Sequence, residues 1–294
     1  MFDIKITDVR ERAGDSAFLI DDGVTAILYD SGFAFTGYAV AERIKKALGK
    51  RSLDFIFLTH SHYDHALGSC YVLEYYPEAK VVAGSYATKI FAKDSAKSVM
   101  RDLDKKFATA CGINEYDDLV DNLRVDIAVD DGDCVKAGDM TFRVFSLPGH
   151  TKCSVGYYCE EKKLLLGCET LGVFDGEGGV VPAYLVGYEM TLKSIQRMQQ
   201  IEIDRVLVPH YGLLDCEQTK TYLSLSKTVA QEVGTTVVKQ LECGMEKTEI
   251  IKQYIDRYWK GYIKDIYPID AITLNTSIMV DLLERELLGK PTVD

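Results

Sequence analysis

Along residues 4–215, short apolar runs bounded by turn residues alternate with stretches of helical spacing. Runs at 17–20 and 25–29, split by Asp21-Asp22-Gly23, predict a hairpin of antiparallel strands. Apolar positions recur at helical spacing from 38 to 48, and Gly49 stands where a C-terminal cap belongs. A buried strand over 54–58 is expected next, then a helix over 67–76 that Pro77 stops, a strand over 81–83, and a helix to 91 capped by Ser85. Residues 93–123 are charged and mostly helical in character. They are long for a connector, so they read as an insertion at the edge of whatever site the fold carries.

Strand patterns return over 125–129, 134–136, 140–147, 153–159 and 163–166, followed by a helix over 189–200 and a last buried strand over 205–208. Strands on both sides of helices, antiparallel in the middle stretch, indicate an α/β class with layered sheets. After residue 215 the pattern becomes helical throughout, with helices expected over 217–241, 247–259 and 271–288. The chain therefore divides into an α/β unit, 1–215, and a helical C-terminal module, 216–294. Within that module Tyr254, Tyr258, Trp259 and Tyr262 recur at i, i+4, i+5 and i+8. They read as helix core, or else as a cap that supplies an apolar pocket. The glycine-rich stretch 174–179 lacks a P-loop lysine and reads as a rim.

Composition narrows the class of function. With 294 residues, 47% of them apolar, a sizeable core is available. A net charge of -11 without clustered Lys and Arg argues against a nucleic-acid partner. No run approaches ~20 apolar residues, and the first residues lack a basic stretch followed by an apolar core, so neither membrane nor export is expected and the location reads as cytoplasmic. The 8 cysteines show no C-x-x-C spacing, as suits reduced intracellular thiols.

Candidate chemistry concentrates directly after the strand at 54–58. Thr59-His60-Ser61-His62-Tyr63-Asp64-His65 places three imidazoles and a carboxylate within one short loop. Packed together without a cation, these groups would cost several kcal/mol in desolvation and repulsion. Imidazole with carboxylate is instead a donor set for divalent zinc, iron or manganese. The chain has 5 histidines, and the other two, His150 and His210, stand near glycine in comparable strand-end settings. A pair of such ions about 3.5–4 Å apart could share a water and lower its pKa towards neutrality.

The stretch from His60 to His65 matches the H-x-H-x-D-H signature of the metallo-β-lactamase superfamily. Leu28-Tyr-Asp-Ser-Gly32, Pro148-Gly149-His150-Thr151 and Pro209-His210-Tyr211-Gly212 resemble its flanking motifs in the right order. The resemblance implies a four-layer αββα sandwich with the site at the edge between its sheets. It implies His60, His62 and His150 around a first metal, and Asp64, His65 and His210 around a second. The family's bridging aspartate has no direct counterpart in Gly167-Cys168-Glu169: one alignment offers Cys168, another Glu169. Glu169 is preferred, because a carboxylate can bridge two ions and its longer stem covers a one-residue shift.

Residues 169–175, Tyr188-Glu-Met190 and the helical tail are similar to the thioesterase type of the quinolone-signal response protein. The implied activity is that of a dinuclear metal-dependent hydrolase. A metal-bridging hydroxide would attack a small ester, thioester or lactone, with Asp64 orienting the nucleophile while ligating. The alternatives are a phosphodiesterase of the same fold, or a regulatory or binding protein that retains the metal centre. A homodimer through the C-terminal helices is a further expectation.

Overall fold

The computed structural model describes residues 4–289, so 1–3 and 290–294, the outer ends of the two expected units, lie outside the described residues. Strands β1 (Lys5–Asp8), β2 (Phe18–Asp21) and β3 (Ala26–Tyr29) make an antiparallel meander. Helix α1 (Gly37–Leu48) leads to β4 (Phe55–Phe57), and α2 (Tyr63–Ala66) with α3 (Ser69–Tyr75) leads to β5 (Lys80–Gly84). Helices α4 (Ser85–Phe91) and α5 (Asp94–Ala110) then precede β6 (Ile127–Val129). From β3 onward each neighbour is parallel, giving one sheet in the order β1 to β6.

The second sheet begins with the antiparallel strands β7 (Cys134–Ala137), β8 (Met140–Ser146), β9 (Val155–Cys159) and β10 (Leu164–Leu166). A small hairpin, β11 (Val173–Phe174) and β12 (Val180–Val181), and helix α6 (Tyr188–Met198) intervene before β13 (Arg205–Val208) returns parallel to β10, with β14 (Gly212–Leu213) at its edge. The tail is α7 (Cys216–Glu242), α8 (Lys247–Tyr258), α9 (Tyr262–Ile266) and α10 (Ile269–Leu288). Among the described residues no helix is long and apolar enough to cross a membrane.

Side-chain alternation along the central strands builds the layers. Phe18, Ile20, Ile27, Tyr29, Phe57 and Val82 point into the space between the sheets, where Phe142, Val144, Tyr157, Leu164 and Leu207 meet them. The intervening Leu19, Leu28, Ile56 and Val81 pack outward on α1 and α3. Leu165, Val206 and Val208 pack on the opposite helical layer with Ile195 and Met198. Strands buried on both faces must read as unbroken apolar runs, and these do. The result is two sheets flanked by helices, with a distinct helical module at the C-terminus.

Several boundaries differ from expectation. The helix expected over 67–76 is α3, Ser69–Tyr75, and a separate short helix that the sequence pattern does not predict, α2, stands before it with Leu67 and Gly68 between them. A Cβ on Gly68 would lie 1.9 Å from the Ser31 carbonyl oxygen. Ser85 is the first residue of α4, not its cap; Gly84 holds the cap position and no side chain caps it. In the aromatic stripe, α8 stops at Tyr258 and Gly261 turns the chain at φ +50, so Tyr262 belongs to a different helix. The stretch 93–123 is helical only as α5, apart from a 3-10 turn at Val120–Asn122.

Candidate metal centre

The first four donors come from one loop and one short helix. His60 and His62 follow β4, His62 is the cap residue of α2, and Asp64 and His65 lie on α2 itself. His150 follows β8, Glu169 opens a 3-10 turn after β10, and His210 follows β13. Strands β8, β10 and β13 run in the same direction, so their carboxyl ends deliver these three side chains to one edge of the sandwich. Two tyrosines in the core set that edge. Tyr29 from the first sheet donates to the Gly167 carbonyl at 2.7 Å, and Tyr157 from the second donates to the Leu58 carbonyl at 2.8 Å.

Backbone conformation is forced at two of these positions. Among the described residues three non-glycines have positive φ, and two of them are Asp30 and His210. Such geometry costs about 1–3 kcal/mol and persists where surrounding contacts over-determine it. Around His210 those contacts are visible: Arg10 and the Tyr262 hydroxyl both donate to its carbonyl oxygen. Gly149 (φ +148) is needed for the turn before His150, since a Cβ would sit 2.1 Å from Thr191 Oγ1.

The rings are oriented from behind. His65 Nδ1 meets Asp30 Oδ2 at 2.8 Å, His150 Nδ1 meets the Ala183 carbonyl at 2.6 Å, and His210 Nδ1 meets the Asp15 carbonyl at 3.3 Å. His60 Nδ1 meets Thr59 Oγ1 at 3.0 Å, and that hydroxyl donates onward to Asp30 at 3.1 Å. These bonds place the proton on Nδ1 and turn the Nε2 lone pair inward, as metal-binding histidines require. His62 alone presents Nδ1, 3.0 Å from His150 Nε2.

Two groups of inward-facing donors result. His60, His62, His150 and Glu169 form one, and Asp64, His65 and His210 the other; within each, the donor atoms lie within 4.8 Å of one another. Glu169 reaches both. Its Oε2 lies 2.8 Å from His150 Nε2 and 3.3 Å from both His60 Nε2 and His65 Nε2, while Oε1 is 3.5 Å from His210 Nε2. Proximity here is not hydrogen bonding: Nε2 of His60, His65 and His210 is buried and has no hydrogen-bond partner. Leaving three such atoms orphaned costs about 1–3 kcal/mol each. A cation at their meeting point removes that cost, and the nitrogen and oxygen donor set suits zinc, iron or manganese.

Burial and mutual charge set the protonation. His60 is held well below the usual imidazole range by burial and by His65, and His62 is pushed down to about 3 by burial and by His150. Burial alone would lower His65, but the charges of Asp64 and Asp30 outweigh it and raise the ring. For Glu169 burial is outweighed by His150 and the other imidazoles, so the carboxyl is held well below its ordinary value. Asp64 is raised by burial against the pull of His65 and His210. Cys168 points away into the apolar layer with Leu165 and Leu171, and burial pushes its thiol up to about 12.

Comparison with known proteins accounts for this edge of the sandwich. The sequence profile of the Metallo-beta-lactamase superfamily matches residues 12–210. The chain belongs to this superfamily. Glyoxylase B2 of Dictyostelium discoideum is 32% identical over 114 residues, which is 39% of this chain and 34% of that protein. A hydroxyacylglutathione hydrolase of Tolumonas auensis is 25% identical over 213 residues, 70% of this chain and 64% of that protein. The chain thus spans less than two thirds of the length of either curated relative. A metallo-beta-lactamase family protein from Thermus thermophilus shares the fold at a TM-score of 0.61 and 16% identity, over 93% of this chain and 88% of that one.

Two residues of this superfamily member's site escape sequence reasoning. Asp30 lies inside a quoted motif, yet only the structure shows its Oδ2 receiving Ser16 at 2.9 Å, Thr59 and His65 together. Tyr267 lies in the link between α9 and α10, where nothing but the following Pro268 sets it apart. Its hydroxyl donates to Glu169 Oε1, and its ring stands 5.9 Å from that of His210. The aromatic stripe does not perform this role: Tyr254 is core and donates to the Pro182 carbonyl at 3.1 Å.

Proposed function

We propose that the chain is a dinuclear metal-dependent hydrolase of small carboxylic esters, thioesters or lactones. In this reading His60, His62 and His150 hold one cation, Asp64, His65 and His210 hold the other, and Glu169 lies between them. The observation that carries it is the pair of donor groups joined by the two oxygens of Glu169, at the inner end of a cavity of about 270 Å³. When bound, two divalent ions, zinc or iron with manganese as a further option, would supply Lewis acidity and an activated water at neutral pH.

The chain's own residues do the rest. Asp64 Oδ2 lies 3.6 Å from His65 Nε2 and 3.7 Å from His210 Nε2, where a carboxylate can ligate and orient an attacking water together. Tyr267, whose phenol is raised well above its usual range by burial and by Glu169, stays protonated and donates its hydrogen bond to that carboxylate. Leu185 and the apolar side chains of α5 and α10 exclude bulk water from the reacting bond. The contribution of the tail to the cavity supports the finer likeness to the quinolone-signal thioesterase type, and 8 unpaired cysteines suit a cytoplasmic setting.

The test is a screen of the full chain, loaded in turn with zinc, iron(II) and manganese, against p-nitrophenyl acetate, a hydroxyacylglutathione thioester, a homoserine lactone and bis-p-nitrophenyl phosphate. Metal-dependent turnover of a carboxylic substrate that disappears in His62→Ala supports the reading. Turnover of the phosphodiester alone, or of none, overturns it.

A further inference from the structure

The cavity above the metal centre has an unusual pair of walls. Helix α5 contributes Leu103, Phe107 and Ala110, and α10 contributes Ala271, Leu274 and Ile278. Leu103 with Phe107, and Leu274 with Ile278, are one helical turn apart, so each helix turns an apolar stripe to the cavity. On α10 this stripe is additional to the one buried in the core through Ile272, Met279 and Leu283. Leu274 is 52% exposed and Ile278 37%, although both are large and apolar. Grouped around a concavity, such side chains mark a binding site rather than scattered surface residues.

Charge in the lining sharpens the class of ligand. Beyond the candidate metal ligands, its ionised side chains are Lys106 and Asp270, which pair across the opening at 3.3 Å. A glutathione group carries two carboxylates and an ammonium, and this lining offers its carboxylates no unpaired cation. The space, about 270 Å³, is close to the lower end of small-molecule pockets at ~300–1,000 Å³. It runs from His62 and His150 outward to the exposed Lys106–Asp270 pair, between two helices.

We propose that this chamber takes an unbranched aliphatic acyl chain, so that the substrate is the ester or thioester of a medium-length fatty acid. The chain lies between α5 and α10 with its carbonyl at the metal centre. The assignment rests on the hydrolase reading above and names its substrate class. In the reaction the oxygen of water bonds to the acyl carbon, the acyl–oxygen or acyl–sulfur bond breaks, and the proton of water leaves on the alcohol or thiol.

Two readouts test it on the full chain loaded with zinc. The first is kcat/KM for p-nitrophenyl esters from acetyl to octanoyl, with the benzoyl ester and a hydroxyacylglutathione thioester for comparison. Burial of each methylene is expected to raise kcat/KM about threefold to fourfold up to the length of the chamber. The benzoyl ester and the glutathione thioester should fall below the hexanoyl ester. Ala271→Phe, which intrudes on the chamber, should cut the octanoyl-to-acetyl ratio at least about tenfold, the worth of about two methylenes. The second readout is the fluorescence of Trp259, the single tryptophan, whose Nε1 donates to the Tyr267 carbonyl at 2.8 Å beside the cavity. Octanoate should change it saturably, acetate should not, and Ala271→Phe should abolish the response. A flat chain-length series, or preference for benzoyl or glutathione substrates, overturns the acyl assignment while the hydrolase reading stands. If no ester, thioester or lactone is hydrolysed, that reading falls, and the titration decides the chamber: a saturable octanoate response upholds it, and none overturns it.

Discussion

In the proposed centre the two halves would depend on Glu169, which among the described residues is the one side chain with oxygens near imidazoles of both groups. Its sequence neighbour Cys168 has a thiol directed into the apolar layer and pushed up to about 12. Elemental analysis of the purified variants should therefore find Cys168→Ser with wild-type metal content and Glu169→Gln short by about one equivalent. The reverse result would move the bridging role to sulfur. Tyr267 acts through Glu169, donating to the oxygen that faces His210. Tyr267→Phe keeps the ring and removes only that donor. It should weaken metal retention roughly 10–100-fold in competition with a chelator, as loss of a partner behind a ligand commonly does. Unchanged retention would show that the hydroxyl supports the fold alone.

Helix α5 is held to the sandwich by Asp104, fully buried, whose Oδ1 accepts Ala34 N–H at 2.9 Å and whose Oδ2 accepts the Tyr116 hydroxyl at 2.6 Å. Burial pushes this carboxyl up to about 7 despite both hydrogen bonds. An unfolded aspartate titrates near 3.9, so between about pH 4 and pH 7 the folded chain keeps a proton that the unfolded chain has lost. Stability from this group is therefore present below that window and declines as pH rises through it. Asp104→Asn cannot ionise. The wild-type-minus-variant difference in unfolding free energy should fall between about pH 4 and pH 7, by no more than roughly 4 kcal/mol. A difference that is constant or rises would remove Asp104 as its source. Elements of this kind differ in how far the sequence discloses them. The central strands are legible because burial on both faces leaves unbroken apolar runs, and six of the seven donors stand in motifs at strand ends. The link from Trp259 to Pro268 is not legible. Its aromatic spacing suits one continuous helix, yet Gly261 breaks the chain, and Tyr267 gains its place only through packing against residues a hundred positions away. The short helix α2 is equally hidden, since its four residues are too few for helical periodicity to show.

At the scale of the whole molecule, the tail beginning at Asp215 has a well-marked start and an apolar core built mostly from its own helices. The Asp215 side chain accepts Gln218 N–H at 2.8 Å and the Gln218 side chain accepts Asp215 N–H at 2.9 Å, a capping box that fixes where α7 begins. Yet the cluster inside the helical module includes Val173, Val181, Tyr184 and Tyr188 from before that point, packed with Val233, Val237, Tyr254 and Met279. A chain ending at residue 215 would return those four side chains to water at about 1.5–3 kcal/mol each. The loss is comparable with the whole stability of an ordinary domain, about 5–15 kcal/mol. It would also remove Tyr267 and the α10 wall of the cavity. The shortened chain should therefore bind a hydrophobic dye, lack a cooperative thermal transition and retain little metal, while the full chain melts as one unit. A shortened chain that melts cooperatively within a few degrees of the full one would make the tail an appended domain. The acyl chamber would then be a contact between two separately stable bodies, and its chain-length preference should disappear in the shortened chain while hydrolysis of the acetyl ester persists.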